Sequence, residues 1–119
     1  MGKHNEFGKE GEDLAVNFLV ENGYTIKYRN FRYLHSEIDI IAQKANVLAM
    51  VEVRSRSNDQ IINIADTITK KKIRLMVMGA DYYVTENGLD VEVRFDIITI
   101  LRNRRIFKID HLKSAFYHF

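Results

Sequence analysis

The sequence contains no cysteine and no proline. Without cysteine there is no disulfide, no thiolate nucleophile and no cysteine-ligated metal, so any site chemistry rests on oxygen and nitrogen donors. Without proline, a low-complexity stretch or an internal repeat, nothing punctuates the chain into separate units. Long apolar runs are missing as well. Met1 to Glu10 has no continuous hydrophobic segment of the kind a secretory leader carries, and no later stretch approaches the length of a membrane span. These absences together predict a soluble cytoplasmic protein with no membrane partner. Net charge is scarce too: 18 Lys and Arg against 16 Asp and Glu leave +2, too little by itself to name nucleic acid as a partner.

What is present fits one compact domain over residues 1–119, since 119 residues with 46% hydrophobic and 29% charged side chains supply one core and not two. The charge is unevenly spread. Residues 100–119 carry Arg102, Arg104, Arg105, Lys108 and Lys113 against Asp110, a local +4, and the rest of the chain sums to −2. Apolar periodicity predicts a helix over Gly8 to Asn22, its start loosened by Gly8 and Gly11 and its exit marked by Gly23. Strands follow at Tyr24 to Asn30, Glu37 to Gln43 and Val47 to Arg54, the last two forming a hairpin with Val47, Ala49, Val51 and Val53 on one side. Ser55 to Gln60 interrupts the strand pattern. Ile61, Ile64, Ala65 and Ile68 then open a helical period that reaches Tyr83, as one helix or as two broken near Lys70 to Lys72. Strands at Leu89 to Leu101 and Ile106 to Ile109 complete the order α-β-β-β-α-β-β, with a short tail around His111 to Tyr117.

The hairpin carries the most informative chemistry. Strand alternation puts Glu37 and Asp39 on one face of the first strand and Glu52 and Arg54 on one face of the second. If the register aligns them, Asp39 and Glu52 can ligate a hard divalent ion, with the backbone carbonyl of Val53 as a further oxygen donor. Magnesium, or manganese, held there would neutralise a phosphodiester oxygen and acidify water. Glu12 on the first helix is placed to join the ion directly or through water. The same residues also read as the solvated side of an ordinary hairpin, and Glu12 as a surface salt bridge.

In order and spacing the chain resembles the YraN-like bacterial proteins (uncharacterised protein family 0102). They are similar in turn to nucleases of the PD-(D/E)XK, restriction-endonuclease-like superfamily, which includes Holliday-junction resolvases. The resemblance rests on Gly8-x-x-Gly11-Glu12-x-x-Ala15, Gly23-Tyr24, Asn30-x-Arg32, Glu37-Ile38-Asp39-Ile40-Ile41 and Val51-Glu52-Val53-Arg54-x-Arg56. Arg94-Phe95-Asp96 and the His111-to-Phe116 tail extend it. It implies an α/β fold with a mixed sheet flanked by helices, a metal centre at Glu12, Asp39 and Glu52, and endonuclease activity on structured or branched DNA. Two departures stand out. Ser36 occupies a position that is often glycine, and Arg54 occupies the lysine position of the superfamily's Glu-x-Lys signature. A guanidinium stays protonated near neutral pH, so Arg54 is no general base and serves to clamp phosphate or offset developing charge. A catalytically weak or inactive nucleic-acid-binding module of the same fold is the alternative.

For the nucleic acid itself, Arg54 and Arg56 lie beside the proposed centre, and Lys70, Lys71, Lys72 and Arg74 form the densest basic run. An ordinary solvated helix face explains that run equally well. Nothing in the pattern separates DNA from RNA. A four-way junction cut symmetrically needs two centres, hence an expected homodimer. Arg102, Arg104 and Arg105 read as a second basic edge or as protection of a strand from unwanted pairing. Asn30 and Arg32 read as loop positioning or surface pairing, Gln60 as a surface residue, and Arg94 with Asp96 as a local charge pair or support for the active face. Tyr82 and Tyr83 read as packing residues because no aromatic ladder accompanies them, and His35 and His111 lack local partners for metal or acid-base work.

Overall fold

The computed structural model describes residues 3–57 and 68–116, with side chains from residue 8 onward. The elements are α1 (Lys3–Glu21), β1 (Thr25–Tyr33), β2 (Ser36–Lys44), β3 (Val47–Ser57), α2 (Lys70–Glu86), β4 (Glu92–Asn103) and β5 (Ile106–Leu112). The expected order is therefore the observed one. Gln60, Ile61, Ile64, Ala65 and Tyr117 lie outside the described residues. All five strands form one sheet in chain order, β1-β2-β3-β4-β5. Neighbours are antiparallel except β3 and β4, whose parallel ladder runs from Val47↔Glu92 to Ser57↔Arg102. A parallel pair requires a crossover, and α2 lies in it. The result is a mixed sheet with helices, compatible with the restriction-endonuclease-like fold.

Alternation along β3 divides the core. Ala49 and Val51 join Ala15 and Leu19 of α1 on one face, while Leu48 and Met50 join Met76 and Ala80 of α2 on the other. Each fully buried Leu, Ile or Met contributes about 1.5–3 kcal/mol of burial, so the two helices are held by the sheet rather than by their own propensities. Helix α1 ends in a Schellman turn: Tyr24 N–H donates to Leu19 O and Gly23 N–H to Val20 O, with Gly23 at φ 90°. Among the described residues no helix is long and apolar enough to cross a membrane.

Several boundaries differ from expectation. Strand β1 extends to Tyr33 and β3 to Ser57, because pairing with β2 and β4 satisfies backbone groups that the local sequence leaves undecided. The long helical period does not pass through Ile68 into α2. Thr69 is extended at φ −80° and ψ 157°, and its hydroxyl caps the helix by accepting from Lys72 N–H, so all of Lys70 to Arg74 lies in one helix. Gly11 does not loosen α1. It is buried, and a methyl group there would meet Ser55 Oγ of β3 and the Ile100 side chain, so glycine lets α1 lie against the sheet.

Candidate metal and phosphate site

The β2–β3 ladder runs from Lys44↔Val47 to Ile40↔Val51 and ends there. Continuing the register would set Asp39 against Glu52. In place of a ladder bond, Val53 N–H donates to Asp39 Oδ2 at 2.8 Å. Val53 thus meets Asp39 through its amide, while its side chain packs on the α1 face of the sheet. Beyond this point β3 continues along β4 alone, and its Glu52 and Arg54 stand at the opening.

Both carboxyls are held above their ordinary range. Burial dominates for Asp39, and the nearby Glu12 charge adds to it, against the Val53 amide, Lys72 and Arg54. Burial also dominates for Glu52, followed by the charge of Asp39, with Lys72 and Arg54 opposing. Two cations balance the pair incompletely. Lys72 Nζ lies 3.5 Å from Glu52 Oε2, and Arg54 Nε lies 3.4 Å from Glu52 Oε1. These distances are ion pairs, and Glu52 Oε2 and Arg54 Nε remain buried without a hydrogen-bond partner. An unsatisfied buried carboxylate oxygen costs roughly 1–3 kcal/mol or more. Lys72 also stands in the first turn of α2, whose backbone dipole repels cations, and no acidic residue in that turn offsets it. Glu52 does so from the sheet.

Glu12 is anchored from the other side. Its Oε1 accepts from Arg29 Nε (3.1 Å), Arg29 Nη2 (3.0 Å) and Asn30 Nδ2 (3.1 Å). Arg29 also donates to Asp13 at 2.7 Å. Asn30 has φ 55°, an uncommon backbone state that asparagine tolerates better than most residues. Both readings of Glu12 therefore have a basis: it is salt-bridged, and it is near enough to Asp39 to act on its titration.

Among the described residues no group of three or more His, Cys, Asp or Glu side chains is arranged to hold a metal ion as it stands. The donor set nevertheless fits a hard cation: two facing carboxylates, a third nearby, and an oxygen of Glu52 lacking a hydrogen bond. Asp39 and Glu52 would hold such an ion.

The structure brings Glu12, Asp39, Glu52, Arg54 and Lys72 together. Arg56 follows on β3, its Nη1 donating to Ser55 O at 2.9 Å. Lys70 and Lys71 are exposed on the same first turn of α2. Arg74 lies instead along an open groove with Val77, Asp81, Val93 and Phe95. Arg32 makes an exposed pair with Glu37 at 3.6 Å. Sequence reasoning missed Arg29, whose partners on α1 lie 16 and 17 residues away and leave no local signal.

It also underrated Asp96. This residue is fully buried, accepts from Arg94 Nε and Nη2 and from Ser114 N–H, and lies 2.8 Å from His111 Nε2. Arg94 Nη2 donates onward to Tyr24 Oη at 2.6 Å. An aspartate inside Phe95-Asp96-Ile97-Ile98 was the available signal, since apolar runs bury their contents.

The model of the Uncharacterised protein family UPF0102 matches residues 11–100. The chain belongs to that family. It is 48% identical over 119 residues to a UPF0102 protein of Flavobacterium psychrophilum and 45% identical over 119 residues to one of Christiangramia forsetii, each match covering 100% of both chains. It is 47% identical over 117 residues to one of Bacteroides thetaiotaomicron, covering 98% of this chain and 97% of that one. The expected YraN-like membership is thereby established, and the matched segment spans Glu12, Asp39, Glu52, Arg54 and Lys72.

Proposed function

We propose that the protein is a metal-dependent endonuclease that hydrolyses phosphodiester bonds in structured or branched DNA. The observation that carries this reading is the half-buried Asp39 beside the buried Glu52 at the end of the β2–β3 ladder, with Lys72 and Arg54 against Glu52. Magnesium or manganese bound there supplies Lewis acidity toward phosphate and water. The chain's own residues do the rest. Asp39 is fixed by the Val53 amide, and Glu12 is fixed by Arg29 and Asn30, so the acidic groups need little reorganisation. Arg54 and Lys72 swing from Glu52 to the phosphate as its charge develops, and neither cation is sequestered by a short hydrogen bond to Glu52. Lys70, Lys71 and Arg56 meet flanking phosphates.

A second reading has its own support. Two cations already neutralise much of Glu52, and an arginine stands where the superfamily has lysine, as a pure phosphate-binding module would require.

One panel separates the two: duplex, flap and four-way DNA, incubated with magnesium or manganese, for wild type and Asp39→Asn. Hydrolysis requires cleavage of at least one substrate by the wild type, reduced more than about 100-fold in the folded variant. Intact binding with no cleavage of any substrate leaves the binding module standing.

A further inference from the structure

A sheet built in chain order has two edge strands, β1 and β5. Among the described residues β5 is paired on one side only, with β4, so half of its backbone N–H and C=O groups face outward as a template for another strand. The two-residue turn at Arg104 and Arg105 fixes which half. It makes Asn103 and Ile106 the closing pair of the hairpin, which exchanges hydrogen bonds. By alternation, Ile106, Lys108, Asp110 and Leu112 bond to β4, and Phe107, Ile109 and His111 present their backbone groups outward.

Side chains alternate as well. Phe107 and Ile109 pack on the α1 core, while Ile106, Lys108, Asp110 and Leu112 line the other face. There Ile106 is 72% exposed and Leu112 47%, and Lys108 and Asp110 make an open pair at 4.0 Å. Their neighbours on β4, Leu101 and Thr99, carry no charge.

This stripe is its own complement. A second copy running antiparallel must set outward residues against outward residues, so the registers that pair most of the strand are centred on Lys108, Ile109 or Asp110. The first and last set Lys108 or Asp110 against itself, and like charges directly opposite destabilise a pairing. The centre on Ile109 sets Lys108 against Asp110 twice and Ile106 against Leu112 twice, and it engages the whole of Ile106–Leu112. Its charged pairs fall at positions without hydrogen bonds, where opposite side chains come closest. Beyond them, Arg105 and Lys113 lie in turns that lead back toward β4. Strand β1 offers no such match. A bulge between Ile26 and Tyr28 and Asn30 at φ 55° break its edge, and Lys27, Arg29 and Arg32 stand there with no acidic residue.

We propose that β5 is a homodimer interface, in which two copies pair antiparallel about a two-fold axis through Ile109 and join their five-stranded sheets into one of ten. The arginines that sequence reading offered as protection of a strand lie on β4 and in the turn, off this edge. The axis is normal to the sheet. With Glu52, Ile97 and Leu112 in one row, both carboxylate openings face the same side, about 30 Å apart from strand spacing and rise. Seven residues a side is small beside the roughly 20–30 of stable complexes, so the dimer should dissociate reversibly at micromolar concentrations.

The test is sedimentation equilibrium without metal or nucleic acid, over about 1 to 500 μM. Wild type should pass from monomer to dimer. Lys108→Asp and Asp110→Lys should each weaken self-association about 5- to 50-fold, by setting like charges opposite each other twice across the axis. An equimolar mixture of the two variants should dimerise at least as tightly as wild type, since every facing charged pair is then of opposite sign. That rescue also shows that both variants fold. Wild type remaining monomeric throughout overturns the proposal and leaves the edge to another protein. Dimers that resist both reversals, or a mixture no tighter than either variant alone, overturn it by placing the contact elsewhere. Cleavage is decided separately by the metal panel, so either reading can fail without the other.

Discussion

The sharpest contrast between single residues is that of Asp96 with Asp39. Asp96 is fully buried and Asp39 half-buried, and their titration moves in opposite directions. Burial alone would raise Asp96, but His111, Arg94 and the Ser114 amide outweigh it and hold the group below its ordinary range. Its contribution to stability is present above the unfolded value of about 3.9 and is lost as pH falls through the lower folded value. Removing the charge in Asp96→Asn leaves Arg94 without its buried counterion and should cost about 3–5 kcal/mol. Urea unfolding at pH 7 measures this loss, and the difference between wild type and variant should shrink toward pH 3. Asp39 has the opposite sign, since its raised value makes folding less favourable as pH climbs through it. Alternation and the resemblance made Asp39, Glu52 and Arg54 legible in advance. The Arg94–Asp96 pair, two positions apart on one strand, was legible as a local charge pair, whereas Arg29 and the His111 and Ser114 partners of Asp96 were not, because each is bound to a residue at least 15 positions away.

Among the elements, the strands were read nearly whole and the contacts between helix and sheet were not. Periodicity recovers a strand because the side-chain alternation is intrinsic to it, so β2, β3 and their hairpin followed from sequence. The α2–β2 contact did not. Ser36 is fully buried, with an Oγ that finds no hydrogen-bond partner, and it lies against Gly79 on α2. A Cβ at Gly79 would collide with the Ser36 hydroxyl and crowd the Ile38 side chain. Serine at position 36 is thus accommodated by a missing side chain on the facing helix. Gly79→Ala should destabilise by about 1–3 kcal/mol from overpacking. Adding Ser36→Gly should restore most of that, a coupling that thermal melts of the two single variants and the double variant will measure. Helix α2 also carries Lys72 to Glu52.

For the whole molecule, the net charge of +2 was a poor guide and its layout a better one. The parallel ladder brings the ends of β3 and β4 to the same edge, Arg56 beside Leu101 and Ser57 beside Arg102, with Lys70 and Lys71 on the first turn of the crossover helix. Replacing Lys70 and Lys71 together by alanine should weaken binding across all DNA sequences. It should also flatten the plot of log affinity against log salt by about 1–2 units of slope, as measured by anisotropy titrations at several salt concentrations. The fold class was readable because chain order and sheet order coincide, which keeps every pairing local but one. The opening between β2 and β3 gives this layout a thermodynamic side. Asp39 and Glu52 oppose folding through their burial and mutual repulsion, and any cation that settles between them relieves both effects at once. On the proposed cation site, occupancy of the opening and resistance of the chain to heat would be linked functions of one free energy, so that added magnesium should raise the melting temperature.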